Sequence, residues 1–358
     1  MNSLVKELLS KNNNNNTVSE QSVSEDDSEL TELLKQLKTS IKIIGCGGSG
    51  SNTITRIFDS NIKDVELIAA NTDAQHLLIT RSQKKILLGK RATRGLGAGA
   101  LPEIGAEAVK EAEDIVRKAI AGADIVFVTA GMGGGTGTGS APIVSKIAKE
   151  EGALVIAVTT LPFSAEGKLR MDNALIGLEK LKETADTTIV IPNDKLLQLV
   201  PRLPLNAAFR VADEVLMRAI RGISDMVTKP GLVNLDFNDL RTIMKDGGIA
   251  MIGLGESDGE NRAEEALNEA LNSPLLDLDI SGATGALIDV VGGENMTIEE
   301  AEKIVANVSA RLNQHAKIIW GSSVKVEAGN MMSVMLVITG IKDAHSLDKS
   351  KGKLDVIR

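Results

Sequence analysis

Residues 131–139 read Gly131-Met132-Gly133-Gly134-Gly135-Thr136-Gly137-Thr138-Gly139, and no other stretch restricts the fold of this chain so tightly. Six of the nine are glycine and two are threonine. Ahead of them, 123–130 (ADIVFVTA) is an apolar run that reads as a buried strand. Behind them, Ile143, Val144, Ile147 and Ala148 recur at helical spacing. A strand, a glycine loop and a helix start aim several backbone N–H groups and a positive helix end at one spot, where phosphate binds well. A flexible loop without a ligand is the alternative. Glycine costs more conformational entropy on ordering than any other residue, so a dense run between two well-formed elements favours the phosphate.

Two further glycine clusters precede it. A short strand at 41–44 leads into 45–52 (GCGGSGSN), where Gly45, Gly47 and Gly50 satisfy G-x-G-x-x-G. A second strand, 65–70, ends at Asn71-Thr72-Asp73, with Asp73 about 20 residues beyond Gly50, where a ribose-binding acid would fall. Alone, this half reads as the dinucleotide site of an oxidoreductase. The third cluster is 94–100 (RGLGAGA). A helix over 102–121, a strand at 153–160, a helix from about 165 and a strand at 187–191 complete an alternating pattern. Such alternation predicts a parallel sheet with its ligand loops gathered at the carboxyl edge. Three glycine loops at one edge exceed what a dinucleotide needs and suit one phosphate chain held from several sides. No G-x-x-x-x-G-K-[ST] occurs, so the site is not a P-loop.

Residues 205–227 carry the longest helical pattern, with apolar residues over roughly half the circumference, wider than a surface helix needs. The pattern predicts a central helix covered by two bodies, with Asp213 at the edge of its apolar stripe as either a solvated carboxylate or a polar contact to the ligand. Beyond it come a helix within 234–245, strands at 249–253, 286–291, 316–320 and 332–339, a helix at 262–271, and a helix at 297–312. Thr297 and Glu300 form the capping box of that last helix. The expected architecture is therefore α/β: a parallel-sheet nucleotide domain (39–204), a long central helix (205–228) and a smaller α+β domain (229–341). Residues 1–38, with five asparagines at 12–16, are expected to be a partly disordered extension, and 342–358 a short flexible tail.

Composition removes several classes of function. One cysteine, Cys46, and three histidines leave neither a disulfide framework nor a Cys/His zinc site. A net charge of −8 and the absence of tyrosine argue against nucleic acid as a partner. No apolar run is long enough for a membrane span, and a cytoplasmic location without membrane insertion is expected. Two charged pairs carry more than one reading. Glu166 and Arg170, four apart, are either a surface ion pair or ligand contacts. Asp236 and Asp239, three apart, either cap a helix or orient water or a hydrated cation.

The motifs converge on a family. Residues 131–142 (GMGGGTGTGSAP) resemble the tubulin signature. With GCGGSGSN at 45–52, NTDAQ at 71–75, RGLGAGA at 94–100, LPFSAEGKLRM at 161–171, IPNDKL at 191–196 and PGLVNLDFNDLRTIM at 230–244, the chain resembles the tubulin/FtsZ family from about 41 to 341. The extension is similar to that of archaeal members. Carried over by position, the resemblance implies GTP or GDP held by Gly47, Gly48, Ser49, Gly50, Ser51 and Asn52, by Ala98, Gly99 and Ala100, and by Gly133, Gly134, Gly135, Thr136 and Gly137. It implies that Asn71 and Asp73 lie beside the nucleotide, that Glu166 holds ribose, that Arg170 lies against the nucleotide, and that Asp213 pairs with guanine. It further implies Mg²⁺ on the phosphates, and a catalytic loop carrying Asn234, Asp236 and Asp239 that enters the pocket of the next copy in a head-to-tail homopolymer. A ring at the division site and a membrane adaptor reading the C-terminal tail belong to the same expectation. Ser49, Ser51 and Leu101 depart from the commoner family residues, which touches side-chain contacts more than backbone ones.

Overall fold

Strand β1 (Ile41–Cys46) is buried along its whole length. It lies between β2 (Val65–Asn71) and β4 (Ile125–Gly131), parallel to both, with Ile43 level with Leu67 on one side and Phe127 on the other. Strands covered on both faces read as unbroken apolar runs, which is why this part of the sequence alternates so little. The computed structural model describes residues 39–341 apart from 63, 200–203, 230, 234 and 277–279. The expected extension, the tail and Asn234 lie outside the described residues.

The sheet has ten strands in the order β3-β2-β1-β4-β5-β6-β7-β10-β8-β9. Its remaining strands are β3 (Lys84–Leu87), β5 (Leu154–Leu161), β6 (Thr187–Pro192), β7 (Gly248–Ser257), β8 (Gly285–Gly292), β9 (Lys317–Val324) and β10 (Met332–Thr339). From β3 to β7 every pairing is parallel, and β10 runs antiparallel between β7 and β8. The two expected sheets are thus one. They are joined where Thr187, Thr188 and Ile189 pair with Gly248, Ile249 and Ala250. Strand β3 was not foreseen, because KKIL is short and its two lysines are exposed.

Side chains alternate across the strands into two cores. Ile41, Ile43, Ile125 and Phe127 face one side with Ile54 and Ile57 of α1 (Gly47–Asp59). Ile44, Val126 and Val128 face the other. There they meet α3 (Pro102–Glu111), α4 (Glu113–Ile120), α5 (Gly135–Glu150) and α6 (Lys168–Thr184) through Ala108, Val116, Val144 and Leu178. The helix expected over 102–121 is therefore two. It breaks at Ala112, beside Glu111, whose carboxylate is drawn aside to accept from the backbone N–H groups of Arg91 and Ala92.

Helix α8 (Leu205–Thr228) has 24 residues, which makes it about 36 Å long. Val215, Leu216, Ile220 and Ile223 pack in the same core as Val158 and Ile189 of the parallel strands and Leu287, Met335 and Val337 of β8 and β10. The broad apolar face read from the sequence is covered from both halves. On the far side of β10, Val334, Leu336 and Ile338 meet α10 (Arg262–Leu271) and α11 (Ile298–Ser309) in a third core. The capping box of α11 forms as expected: Thr297 Oγ1 accepts from the Glu300 N–H at 3.2 Å, and Glu300 accepts from the Thr297 N–H at 2.7 Å.

Candidate nucleotide site

At their carboxyl ends β1 runs directly into a helix and β4 reaches one after three residues, and neither helix has a side-chain cap. Helix α1 starts at Gly47 after Cys46, and α5 starts at Gly135 after Gly134. Helix starts present orphan N–H groups and positive charge, and two of them side by side form an anion cradle. How close they lie is fixed at Gly47. Its φ is +74°, and a Cβ there would sit 2.7 Å from the Gly137 nitrogen. Cys46, fully buried at this junction, has its thiol pushed up to about 12 by burial against a weaker pull from Ser140, so it stays protonated and is no nucleophile.

The glycine stretch is shorter as a loop than the sequence suggests, because 135–139 are already helix. Glycine is a poor helix former, and the structure supplies the reason for it here. At Gly135 a Cβ would meet the carbonyl oxygens of Gly99, Ala98 and Leu101 at 2.6, 2.7 and 2.9 Å. The Gly135 N–H donates to the Gly99 carbonyl at 2.8 Å. The third glycine cluster is thereby pressed against the start of α5. It is also tied to the end of β2, since the Gly97 N–H donates to Thr72 O at 3.2 Å and the Ala74 N–H to Gly95 O at 3.0 Å. Thr72 and Thr136 share a hydroxyl hydrogen bond of 2.6 Å. Residues 47–52, 71–73, 98–100 and 133–137 therefore surround one place.

Glu166 and Arg170 reach the same neighbourhood. Glu166 ends a 3-10 turn (Ser164–Glu166), accepts from the Phe163 N–H at 3.0 Å, and pairs with Arg170 of α6 at 2.7 Å. The Arg170 carbonyl lies 2.8 Å from where a Cβ of Gly133 would be. So the ion pair exists, and it stands beside the loop. Asp194 steadies the turn by accepting from the Ser164 N–H and hydroxyl.

Asp213 is 8% exposed and pairs with Arg56 of α1 at 3.0 Å. Burial pushes its carboxyl up to about 6, against the opposing pull of Arg56. Phe209, one turn earlier on α8, is 39% exposed and meets Phe163 edge-on at 5.1 Å. The sequence reading missed both neighbours. The i,i+4 spacing of Phe209 and Asp213 was a legible signal, whereas Arg56, on another helix, was not.

Asp73 does not stand free as a ribose ligand would. It caps α2 (Ala74–Ile79) by accepting from the His76 N–H at 2.9 Å. Asn71 is buried. Asp236 likewise caps α9 (Phe237–Met244), accepting from the Asp239 N–H at 2.8 Å. Both carboxylates of the 236/239 pair are exposed, while Leu235 and Leu240 anchor the segment in the core. This pair is not at the cradle. The far end of α9 lies against the beginning of β6, where the Thr187 hydroxyl donates to the Met244 carbonyl. The glycine loops follow the opposite, carboxyl ends of strands parallel to β6.

The family model of the tubulin/FtsZ GTPase domain matches residues 40–201, and that of the FtsZ family C-terminal domain matches residues 248–342. The chain is 55% identical over 321 residues to cell division protein FtsZ 1 of Archaeoglobus fulgidus, spanning 90% of this chain and 87% of the relative. To cell division protein FtsZ 1 of Methanocaldococcus jannaschii it is 53% identical over 338 residues, spanning 94% and 93%. Among solved structures, an empty FtsZ dimer from M. jannaschii superimposes with a TM-score of 0.85 at 55% identity, over 89% of this chain and 93% of that one. CetZ2 from Haloferax volcanii shares the fold at 21% identity, with a TM-score of 0.74 over 88% and 100% of the two chains. Matched in both its domains and across most of its length, the chain belongs to the tubulin/FtsZ family of GTPases.

Proposed function

We propose that the protein assembles head to tail, completes each GTPase site where two copies meet, and in that form builds the ring at which cells divide. The observation that supports this is the separation of the site into two halves. The phosphate cradle lies at the carboxyl edge of the parallel strands, whereas the helix that starts at the exposed Asp236–Asp239 segment rests its other end, Met244, on the amino end of β6. One copy cannot bring its own carboxylates to its own cradle, but a second copy stacked on it can. A head-to-tail contact of this kind does not close, so it generates a filament.

Within the cradle, the first turns of α1 and α5 and the backbone of 98–100 hold the triphosphate. Glu166 takes the ribose, with Arg170 beside it. Phe209 and Asp213, one turn apart, give the base an aromatic edge and a carboxylate that accepts from guanine N–H groups. No group of three or more His, Cys, Asp or Glu side chains among the described residues is placed to cage a metal ion. That suits magnesium, which binds mainly through phosphates and keeps several waters. Bound there, the ion would neutralise β- and γ-phosphate charge. In the incoming copy, Asp236 has one oxygen committed to the Asp239 N–H and so fixes the start of α9. Asp239 forms no side-chain hydrogen bond among the described residues and is the carboxylate left to orient the attacking water, with Asn234 five residues before it in the sequence. The water oxygen bonds to the γ-phosphorus, the bond to the β–γ bridging oxygen breaks, and GDP and phosphate leave. The tail at 342–358 is the segment we assign to a membrane adaptor.

Two outcomes check this reading. With the full-length protein, GTP turnover per subunit should rise with protein concentration and then level off. Turnover that stays constant down to dilute monomer would contradict a shared site. The Asp213 carboxyl, titrating near 6, adds a pH dependence: GTP affinity of dilute subunits should fall as pH drops through about 6 and the guanine acceptor gains a proton. Fold stability from this group moves the other way. Its native pKa is raised, so the native state binds the proton first, and stability rises as pH falls from about 6 towards 4. Acid should therefore weaken binding, measured by titration calorimetry, without a parallel loss of Tm from this group.

A further inference from the structure

His76 touches two of the residues assigned to the nucleotide and has no role in the site as described so far. It lies on α2, half-buried, with its backbone N–H held by the Asp73 carboxylate at 2.9 Å. Its ring spans two loops. Nε2 is 3.0 Å from Asn52 Oδ1 on α1, and Nδ1 is 3.1 Å from Asn71 Nδ2 at the end of β2. One neutral tautomer satisfies both contacts: Nε2–H donates to Asn52, and Nδ1 accepts from Asn71. The ring edge also borders the first glycine loop, since its Cε1 is 3.9 Å from where a Cβ of Gly48 would stand.

We propose that His76 is a positioning residue for the nucleotide, an imidazole bridge that fixes the side-chain amides of Asn52 and Asn71 across the mouth of the cradle. The inference rests on the GTP-binding reading above. An asparagine amide can turn over, exchanging its donor and acceptor ends. With Oδ1 held by the ring, Asn52 presents its N–H₂ group to a phosphate or ribose oxygen. With Nδ2 held, Asn71 keeps Oδ1 on the Asp73 N–H, 3.3 Å away. The second loop is then braced on both sides, by His76 against α1 and by Thr72 against Thr136 of α5. Without the bridge, both amides must be ordered by the nucleotide at the moment it binds.

The test uses full-length protein, dilute enough to stay unassembled, with GTP affinity measured by titration. Replacing the ring with an apolar side chain, His76→Leu, should weaken GTP binding about tenfold. His76→Gln, whose terminal amide offers one donor and one acceptor, should recover most of that loss. A role in folding alone would not follow this pattern, because both variants remove the same ring. Equal weakening in His76→Leu and His76→Gln, or wild-type affinity in His76→Leu, would overturn the bridge while leaving the GTPase reading intact. Wild-type protein that fails to bind GTP would overturn both. If His76→Leu does not fold, wild-type-like affinity in His76→Gln together with a tenfold loss in Asn52→Ala supports the bridge, and unchanged affinity in Asn52→Ala overturns it.

Discussion

Asp239→Ala should lower GTP turnover about 100- to 1,000-fold, the usual worth of a group that positions or deprotonates a nucleophile. GTP binding by the isolated subunit should stay within about twofold. The two halves of this expectation come from the same geometry. Asp239 is exposed in the first turn of a helix whose other end rests on the amino edge of the sheet, away from the glycine loops. A side chain that meets the nucleotide only through a neighbouring copy leaves binding untouched and removes chemistry. Asp236 also has a structural role. Its carboxylate caps the helix, so Asp236→Ala should also cost about 1 kcal/mol of local stability. Kinetics and thermal melting on the two variants separate these roles.

The second large effect is at the glycines that begin α5, where neighbouring positions should behave oppositely. A Cβ at Gly135 would be met by three backbone carbonyl oxygens, none further than 2.9 Å. Backbone cannot rotate aside as a flexible side chain can, so Gly135→Ala should drive residues 98–101 away from the helix and cost roughly 3 kcal/mol. For a chain of this size that lowers Tm by about 4–5 °C, and GTP binding should be lost with it. At Gly134 a Cβ meets nothing within 4 Å, and its backbone (φ −85°, ψ 176°) suits any residue. Gly134→Val should keep the wild-type Tm and still weaken GTP binding by more than about 100-fold, because the new side chain enters the cradle. Loss of binding with an intact fold would locate the phosphates at the open face of this turn.

Much of this was legible in the sequence, for physical reasons that differ by element. Strands such as 123–130 and the helix at 262–271 announced themselves by apolar pattern, and the Thr297–Glu300 capping box by spacing alone. Burial on both faces and helix capping are local properties, written in consecutive residues. The glycine clusters were legible as ordered turns because the cost of ordering glycine needs a local cause. What failed to show was long-range. The pairing of β6 with β7, which fuses two expected sheets into one, involves only three residue pairs and leaves no pattern in either strand. The helix within 135–139 was hidden because close backbone approach, rather than propensity, explains its glycines. Arg56 reaches Asp213, and His76 reaches Asn52, across separations that periodicity cannot span. The contact of the far end of α9 with the start of β6 belongs to the same class. The spacing of Asp236 and Asp239 favoured a capped helix over a water-orienting pair, and the structure shows the cap.

The shared site is tested most directly by mixing two variants that are each inactive. Asp239→Ala subunits carry an intact cradle and no water-orienting carboxylate, whereas Gly134→Val subunits carry the carboxylate and a blocked cradle. Combined at a concentration that supports assembly, they should regain GTP hydrolysis, because the nucleotide of the first meets Asp239 of the second. A mixture that stays as inactive as its components, each shown to be folded, would contradict a site built from two copies.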